Sequence, residues 1–88
     1  MSYFIKITKS AERQLKKLPP QVQEKVAEGI GLLGQNPDNP GLDVKPLTND
    51  PEALYRLRVG NYRIKFDRDD QIKIIAIIKI AHRKDVYR

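Results

Sequence analysis

The segment from Leu54 to Phe66 constrains the fold more than any other part of the sequence. Two runs in which apolar and basic residues alternate, 54–59 and 62–66, flank the pair Gly60-Asn61. A two-residue connection of this kind closes a tight β-hairpin, and it fixes the pairing register of the two strands. The predicted opposed pairs are Val59 with Tyr62, Arg58 with Arg63, Leu57 with Ile64, Arg56 with Lys65, and Tyr55 with Phe66.

Alternation along these strands gives the hairpin one apolar and one basic face. The apolar face, expected to lie under helices, holds Tyr55, Leu57, Val59, Tyr62, Ile64 and Phe66. The basic face, expected to be open, holds Arg56, Arg58, Arg63 and Lys65. Like charges directly opposite each other are destabilising. Binding of a nucleic-acid phosphate backbone would explain this arrangement, because guanidinium groups bind phosphate oxygens bidentately. The alternative is a solvated face whose cations splay apart or pair with Asp67 and Glu52.

The remaining segments predict a strand, two helices and a further strand. Residues 3–8 alternate as a short strand, and Ser10 is expected to cap a helix over 11–18 that Pro19-Pro20 ends. A second helix begins at Pro20 and stops at Asn36-Pro37. Residues 36–52 are rich in proline and predict a loop, apart from a short extended piece at 42–47. After a turn at Asp69-Asp70, residues 72–80 are apolar enough for a central strand. The apolar stripe of the second helix is Val22, Val26, Ile30 and Leu33.

The order of these elements predicts an α+β fold. Eighty-eight residues are enough for one domain, here 1–88. The expected architecture is a two-helix hairpin packed on one face of a small, mainly antiparallel sheet of about four strands.

Composition limits the chemistry that is available to the chain. It has no cysteine and one histidine, which excludes disulfides, cysteine-based zinc sites and a histidine cluster. We expect a cytoplasmic location, since neither a membrane span nor a signal peptide is apparent. Residues 53–88 hold ten Lys/Arg and four Asp/Glu, which accounts for the whole net charge of +6. This asymmetry favours a polyanionic partner, although a basic surface can also serve solubility alone.

The order and spacing of several short segments resemble the RelE/ParE superfamily of toxins. The resemblance is carried by residues 11–19, by Lys45-Pro46-Leu47, by residues 54–64 and by residues 82–87, and it spans nearly the whole chain. It implies a toxin of a type II toxin–antitoxin system. In the RelE branch such a toxin enters the ribosomal A site and cleaves mRNA without a metal or other cofactor. The implied partners are the ribosome with its mRNA and a RelB-like antitoxin with an acidic docking segment, with no membrane and with DNA reached only through the antitoxin.

The resemblance also implies roles for particular residues. Cleavage by attack of the RNA 2′-hydroxyl, leaving a cyclic phosphate, requires a base, charge stabilisation and an acid. Arg63 and Arg83 match phosphate-stabilising arginines, and Tyr87 matches a tyrosine credited with acid–base or base-stacking work. Arg58 is assigned to the same catalytic set. We expect Arg56, Lys65, Lys84 and Arg88 to bind RNA.

The general base is left open by the sequence. Arg56 and Arg58 stand where well-known members have lysines, and arginine cannot lose its proton in a protein. His82 has the most suitable ordinary pKa, and Lys45 can act as a base if neighbouring cations depress its pKa. Slow cleavage by charge stabilisation alone is a third interpretation.

Two other functions are compatible with the sequence. One is a ParE-like toxin that poisons DNA gyrase, and the other is a non-catalytic module that only holds RNA or an antitoxin. A histidine near a strand end and a C-terminal tyrosine are also usually structural when they occur alone. The RelE interpretation is favoured because Arg63, Arg83 and Tyr87 occur together.

Overall fold

The five strands of the protein form one mixed sheet. A computed structural model describes residues 2–86. In chain order the elements are β1 (Phe4–Ile7), α1 (Lys9–Lys16), α2 (Pro20–Gln35), β2 (Asp43–Pro46), β3 (Tyr55–Val59), β4 (Tyr62–Asp69), β5 (Ile74–His82) and α3 (Arg83–Val86). The strand order is β1-β5-β4-β3-β2, and β1 runs parallel to β5 while the other neighbours are antiparallel. The predicted α+β fold is confirmed, with five strands instead of about four, because the extended piece in the proline-rich loop pairs with β3.

The hairpin has the predicted register. Val59 pairs with Tyr62, and each further pair follows the predicted ladder as far as Tyr55 with Phe66. Gly60 adopts a φ of 58°, a left-handed conformation that glycine adopts without strain. Strand β5 is an interior strand of the sheet, as expected, but it begins and ends two residues later than predicted.

The two long helices cover the apolar face of the sheet. The predicted stripe of α2 faces inward, with Val26 and Leu33 fully buried. The predicted cap at Ser10 is wrong: Thr8 caps α1, because its Oγ1 accepts the Ala11 N–H (3.1 Å) directly after β1 ends. No helix within residues 2–86 combines the length and hydropathy needed to cross a membrane. The buried core consists of Ala11, Val26, Ile30, Leu33, Leu57, Ile64, Phe66, Ile75, Ile77 and Ile80.

Two glycines of α2 provide a test of how closely this helix packs on the sheet. A Cβ at Gly29 would lie 2.9 Å from Cγ2 of Val59, whereas a Cβ at Gly31 would meet nothing within 4 Å. We expect Gly31→Ala to raise the free energy of unfolding by about 0.5–1 kcal/mol through helix propensity. Gly29→Ala should lower it by about 1–3 kcal/mol, because valine is stiff and overpacking strains the contact. Urea denaturation of both variants measures the difference, and equal stabilisation would mean that α2 can shift away from β3.

Candidate nucleic-acid interface

The face of the sheet that the helices leave uncovered carries two rows of side chains across four strands. Directly opposed residues of antiparallel strands point to the same face, so the pairing register defines each row. The first row consists of Lys45, Arg56, Lys65 and Lys79. The second row consists of Asp43, Arg58, Arg63 and Ala81. The predicted opposition of like charges on this face is therefore present.

Two cations of the first row are buried and paired with carboxylates. Nη1 of Arg56 donates to Oδ1 and to the main-chain oxygen of Asp43, both at 2.9 Å. Nζ of Lys65 lies 2.7 Å from Oδ2 of Asp50 and 2.8 Å from Oε1 of Glu52. Arg56 is only 6% exposed and Lys65 only 9%. The expectation that all four hairpin cations lie open is thus wrong for these two, because β2 and the loop before β3 bring carboxylates over them.

The pKa values of these carboxyl groups follow from their ion pairs. The hydrogen bond from Lys65 holds the pKa of Asp50 and of Glu52 below the ordinary range. The hydrogen bond from Arg56 does the same for the pKa of Asp43. Burial alone would lower the pKa of Lys65, but its bonds to the two carboxylates outweigh burial and raise it. All of these groups are therefore charged at neutral pH, and the first row is largely neutralised within the protein.

The second row continues into α3 and forms a basic hollow. The hollow has a volume of about 260 Å³. Its walls include four cationic side chains, those of Arg58, Arg63, Arg83 and Lys84. The main-chain N–H of Arg83 donates to the oxygen of Asn61 (2.7 Å), which fixes the start of α3 against the hairpin turn. The structure thus brings together three of the predicted catalytic residues and one predicted RNA-binding residue.

The other predicted residues lie elsewhere. His82 is opposite Tyr62, on the helix-covered side of the sheet, and the two rings meet edge to face at 5.1 Å. Its Nδ1 accepts the Lys84 main-chain N–H (3.1 Å). Lys45 is exposed at the edge of the first row, opposite Arg56. Tyr87 and Arg88 lie outside the described residues.

Sequence reasoning missed Asp43 and Asp50 as partners of the basic face. Asp43 contacts Arg56 because β2 pairs with β3. Asp50 lies in the loop that joins those strands, and the course of this loop brings it to Lys65. No local sequence pattern predicts either contact. The proposed alternative of a pair with Glu52 is confirmed for Lys65, whereas Asp67 accepts the Leu54 main-chain N–H (2.7 Å).

The fold and this hollow define a small α+β protein with a surface suited to polyanions. The family described as "ParE toxin of type II toxin-antitoxin system, parDE" matches residues 5–87. The chain belongs to this family, within the RelE/ParE superfamily of toxins.

Individual relatives agree with this assignment. The chain is 35% identical to "Toxin RelG" of Mycobacterium tuberculosis over 89 aligned residues, covering 100% of this chain and 99% of that protein. It is 39% identical to "Toxin RelE" of the same organism, covering 98% of this chain and 87% of that protein. Among solved structures, a chain of the toxin–antitoxin complex RelBE2 from Mycobacterium tuberculosis superposes with a TM-score of 0.79 at 30% identity, covering 93% of this chain and 99% of that one. The chain is therefore similar to RelE-type toxins over nearly its whole length.

Proposed function

We propose that this protein is a ribosome-dependent, metal-independent endoribonuclease that acts in the cytoplasm and cuts mRNA in the ribosomal A site. Membership of the toxin family and similarity to RelE-type relatives support this proposal. The observation that carries it is the convergence of Arg58, Arg63, Arg83 and Lys84 around one hollow. Several guanidinium groups in such an arrangement can grip adjacent phosphates bidentately.

In the proposed reaction the RNA 2′-oxygen attacks the neighbouring phosphorus, and the bond to the 5′-oxygen breaks. Arg63 and Arg83 stabilise the charge that grows on the phosphoryl oxygens, where preorganised donors have their largest effect. Arg58 and Lys84 hold the flanking backbone, and Arg88 is assigned to RNA binding as well. Tyr87 protonates the leaving 5′-oxygen or stacks on a base. Arg56 and Lys65 are buried, and their ion pairs with Asp43 and Asp50 stabilise the arrangement of the side chains on this surface.

The decisive experiment is induced expression of the chain followed by mapping of mRNA ends in translating ribosomes. New 5′ ends within A-site codons, dependent on the ribosome, are the expected result. Purified ribosomes programmed with a defined mRNA separate direct cleavage from secondary decay. Intact ribosome-bound mRNA at toxic levels of the protein would reject the proposal.

A ParE-like action is the second candidate, because the matching family carries the ParE description. In that case the basic hollow contacts a protein or has a structural role, and gyrase-linked DNA breaks appear on induction in place of mRNA fragments. A module that only binds RNA or an antitoxin gives neither product. The same induced culture distinguishes all three functions.

We further propose a cognate antitoxin as the partner, by analogy with the RelBE2 complex. An acidic segment of the antitoxin should cover the basic hollow or displace the C-terminal tail, since oppositely charged surfaces favour association. Co-expression with the neighbouring open reading frame and a pull-down measure this. The Arg58→Glu variant should retain less of the antitoxin in the pull-down. The Arg13→Glu variant, which reverses an exposed charge on α1, should retain as much as the parent. Failure of the neighbour to bind the parent would count heavily against a toxin–antitoxin pair.

A further inference from the structure

The second row of the uncovered face contains a carboxylate, that of Asp43, next to Arg58, which lines the basic hollow. Asp43 lies directly opposite Arg58, in the row that continues to Arg63. Side chains opposed in this way have Cβ atoms about 4.5–5.5 Å apart. The Asp43 side chain is 49% exposed, so a substrate held by Arg58 can reach its oxygens.

Four other candidate proton acceptors are less suitable. His82 lies on the opposite side of the sheet, and its Nδ1 already accepts a hydrogen bond. Asp50 and Glu52 are bound to Lys65, and Asp67 accepts the main-chain N–H of Leu54. Arginine cannot accept a proton, and an ordinary lysine ammonium group must first lose one.

Asp43 is also held in a defined position. Nη1 of Arg56, itself buried, bonds to both the Oδ1 and the main-chain oxygen of Asp43. A base that is oriented by a third group is the usual arrangement where a side chain activates a hydroxyl nucleophile. The hydrogen bond from Arg56, with the nearby charges of Lys45 and Arg58, lowers the pKa of Asp43, so this carboxyl group is ionised at neutral pH.

We propose that Asp43 is the general base of the ribonuclease and that Arg56 is its positioning residue, an assignment that rests on the proposed function. An Asp43 carboxylate oxygen takes the proton of the RNA 2′-hydroxyl while the 2′-oxygen bonds to phosphorus. The bond from phosphorus to the 5′-oxygen breaks, and that oxygen takes a proton from the Tyr87 hydroxyl or from water. Asp43 then releases its proton to water, and the donor to the 5′-oxygen, Tyr87 or hydroxide, takes up one proton in turn, so that both groups are restored. The products are a 2′,3′-cyclic phosphate and a 5′-hydroxyl.

The test compares Asp43→Asn with Asp38→Asn on purified ribosomes programmed with a defined mRNA. Asp38 is a matched control because it is another exposed carboxylate bound by an arginine, Arg68 at 2.9 Å, and it belongs to neither row of the uncovered face. We expect Asp43→Asn to slow cleavage by about 10²–10⁴-fold, the usual range for a general base. Binding to the ribosome should stay equal or become tighter, because the substitution removes a negative charge. Asp38→Asn should cleave at the parental rate.

The Asp43→Asn variant is expected to fold, because its side-chain amide keeps an oxygen for the hydrogen bond from Arg56. If it unfolds, Asp43→Asn combined with Arg56→Met removes the whole ion pair and enters the same assay. Cleavage by either folded variant within a few-fold of the parent overturns the assignment of Asp43, while a rate loss with ribosome binding retained supports it. A parent protein that makes no cut overturns both this assignment and the ribonuclease function, so the two failures are distinguishable.

Discussion

Replacing Arg63 with alanine is expected to slow mRNA cleavage by about 10²-fold or more, the loss seen when a donor to a developing oxyanion is removed. Arg63 is central in the second row, between Arg58 on β3 and Ala81 on β5, and it lines the basic hollow with Arg83. In the proposed reaction its guanidinium group stabilises the charge that grows on the phosphorane. Single-turnover cleavage on programmed ribosomes measures the effect.

Two companion variants show what kind of interaction Arg63 makes. Arg63→Lys keeps the charge but loses the planar pair of donors, so it should recover only part of the rate. Arg13→Ala removes an exposed arginine from α1 and should leave the rate unchanged. Tyr87→Phe should slow the reaction if the hydroxyl moves a proton and spare it if the ring only stacks. An Arg63→Ala protein as toxic as the parent at equal expression would point to ParE-like action or to simple binding.

Lys65→Met is expected to lower the free energy of unfolding by about 3 kcal/mol, near the lower end of the range for breaking a buried ion pair. Methionine keeps the aliphatic packing, but Asp50 and Glu52 lose the ammonium group that lies within 2.8 Å of each. Water can solvate Glu52 in the variant, which limits the loss. Lys16→Met, the same change at an exposed site of α1, should stay within about 0.5 kcal/mol.

The pH dependence of stability gives a second measure of this ion pair. A carboxyl group whose folded pKa is depressed contributes stability above its unfolded pKa, and that contribution disappears as the pH falls through the folded value. Lys65 lowers the pKa of both Asp50 and Glu52. Acid should therefore destabilise the parent more steeply than the Lys65→Met variant below about pH 4.5. Urea denaturation from neutral pH down through this range provides the comparison. Parallel curves would mean that Lys65 does not control these two carboxyl groups.

The central part of the fold follows from local patterns. The register from Val59 with Tyr62 to Tyr55 with Phe66 needs only strict alternation and a two-residue turn. The short edge strand β2 was harder to predict, because its four residues include Pro46 and its partner strand lies beyond a long loop. The cap of α1 lies at Thr8 and not at Ser10, because β1 ends at Ile7 and the helix begins at Lys9.

The candidate site was only half predictable for a related reason. Alternation correctly places Arg58 and Arg63 on one face, but it does not reveal which carboxylates approach that face from other segments. The partners of Lys65 and Arg56 depend on long-range pairing and loop course. The position of His82 depends on a register shift in the pairing of β4 with β5, between Lys65 and Phe66. The sequence does not predict this shift.

The parallel pairing of β1 with β5 joins the first and last described strands in chain order, as in the pair Phe4 with Ile74. Strand β5 also supplies Ile75, Ile77 and Ile80 to the core. During synthesis the hairpin β3–β4 can form early from local contacts, but the sheet cannot close until β5 has left the ribosomal tunnel. Contacts between distant parts of a chain also slow folding, because closing a long loop is entropically unfavourable. A chain that lacks β5 therefore exposes Arg58 and Arg63 without the strand that pairs with β4 and supports them.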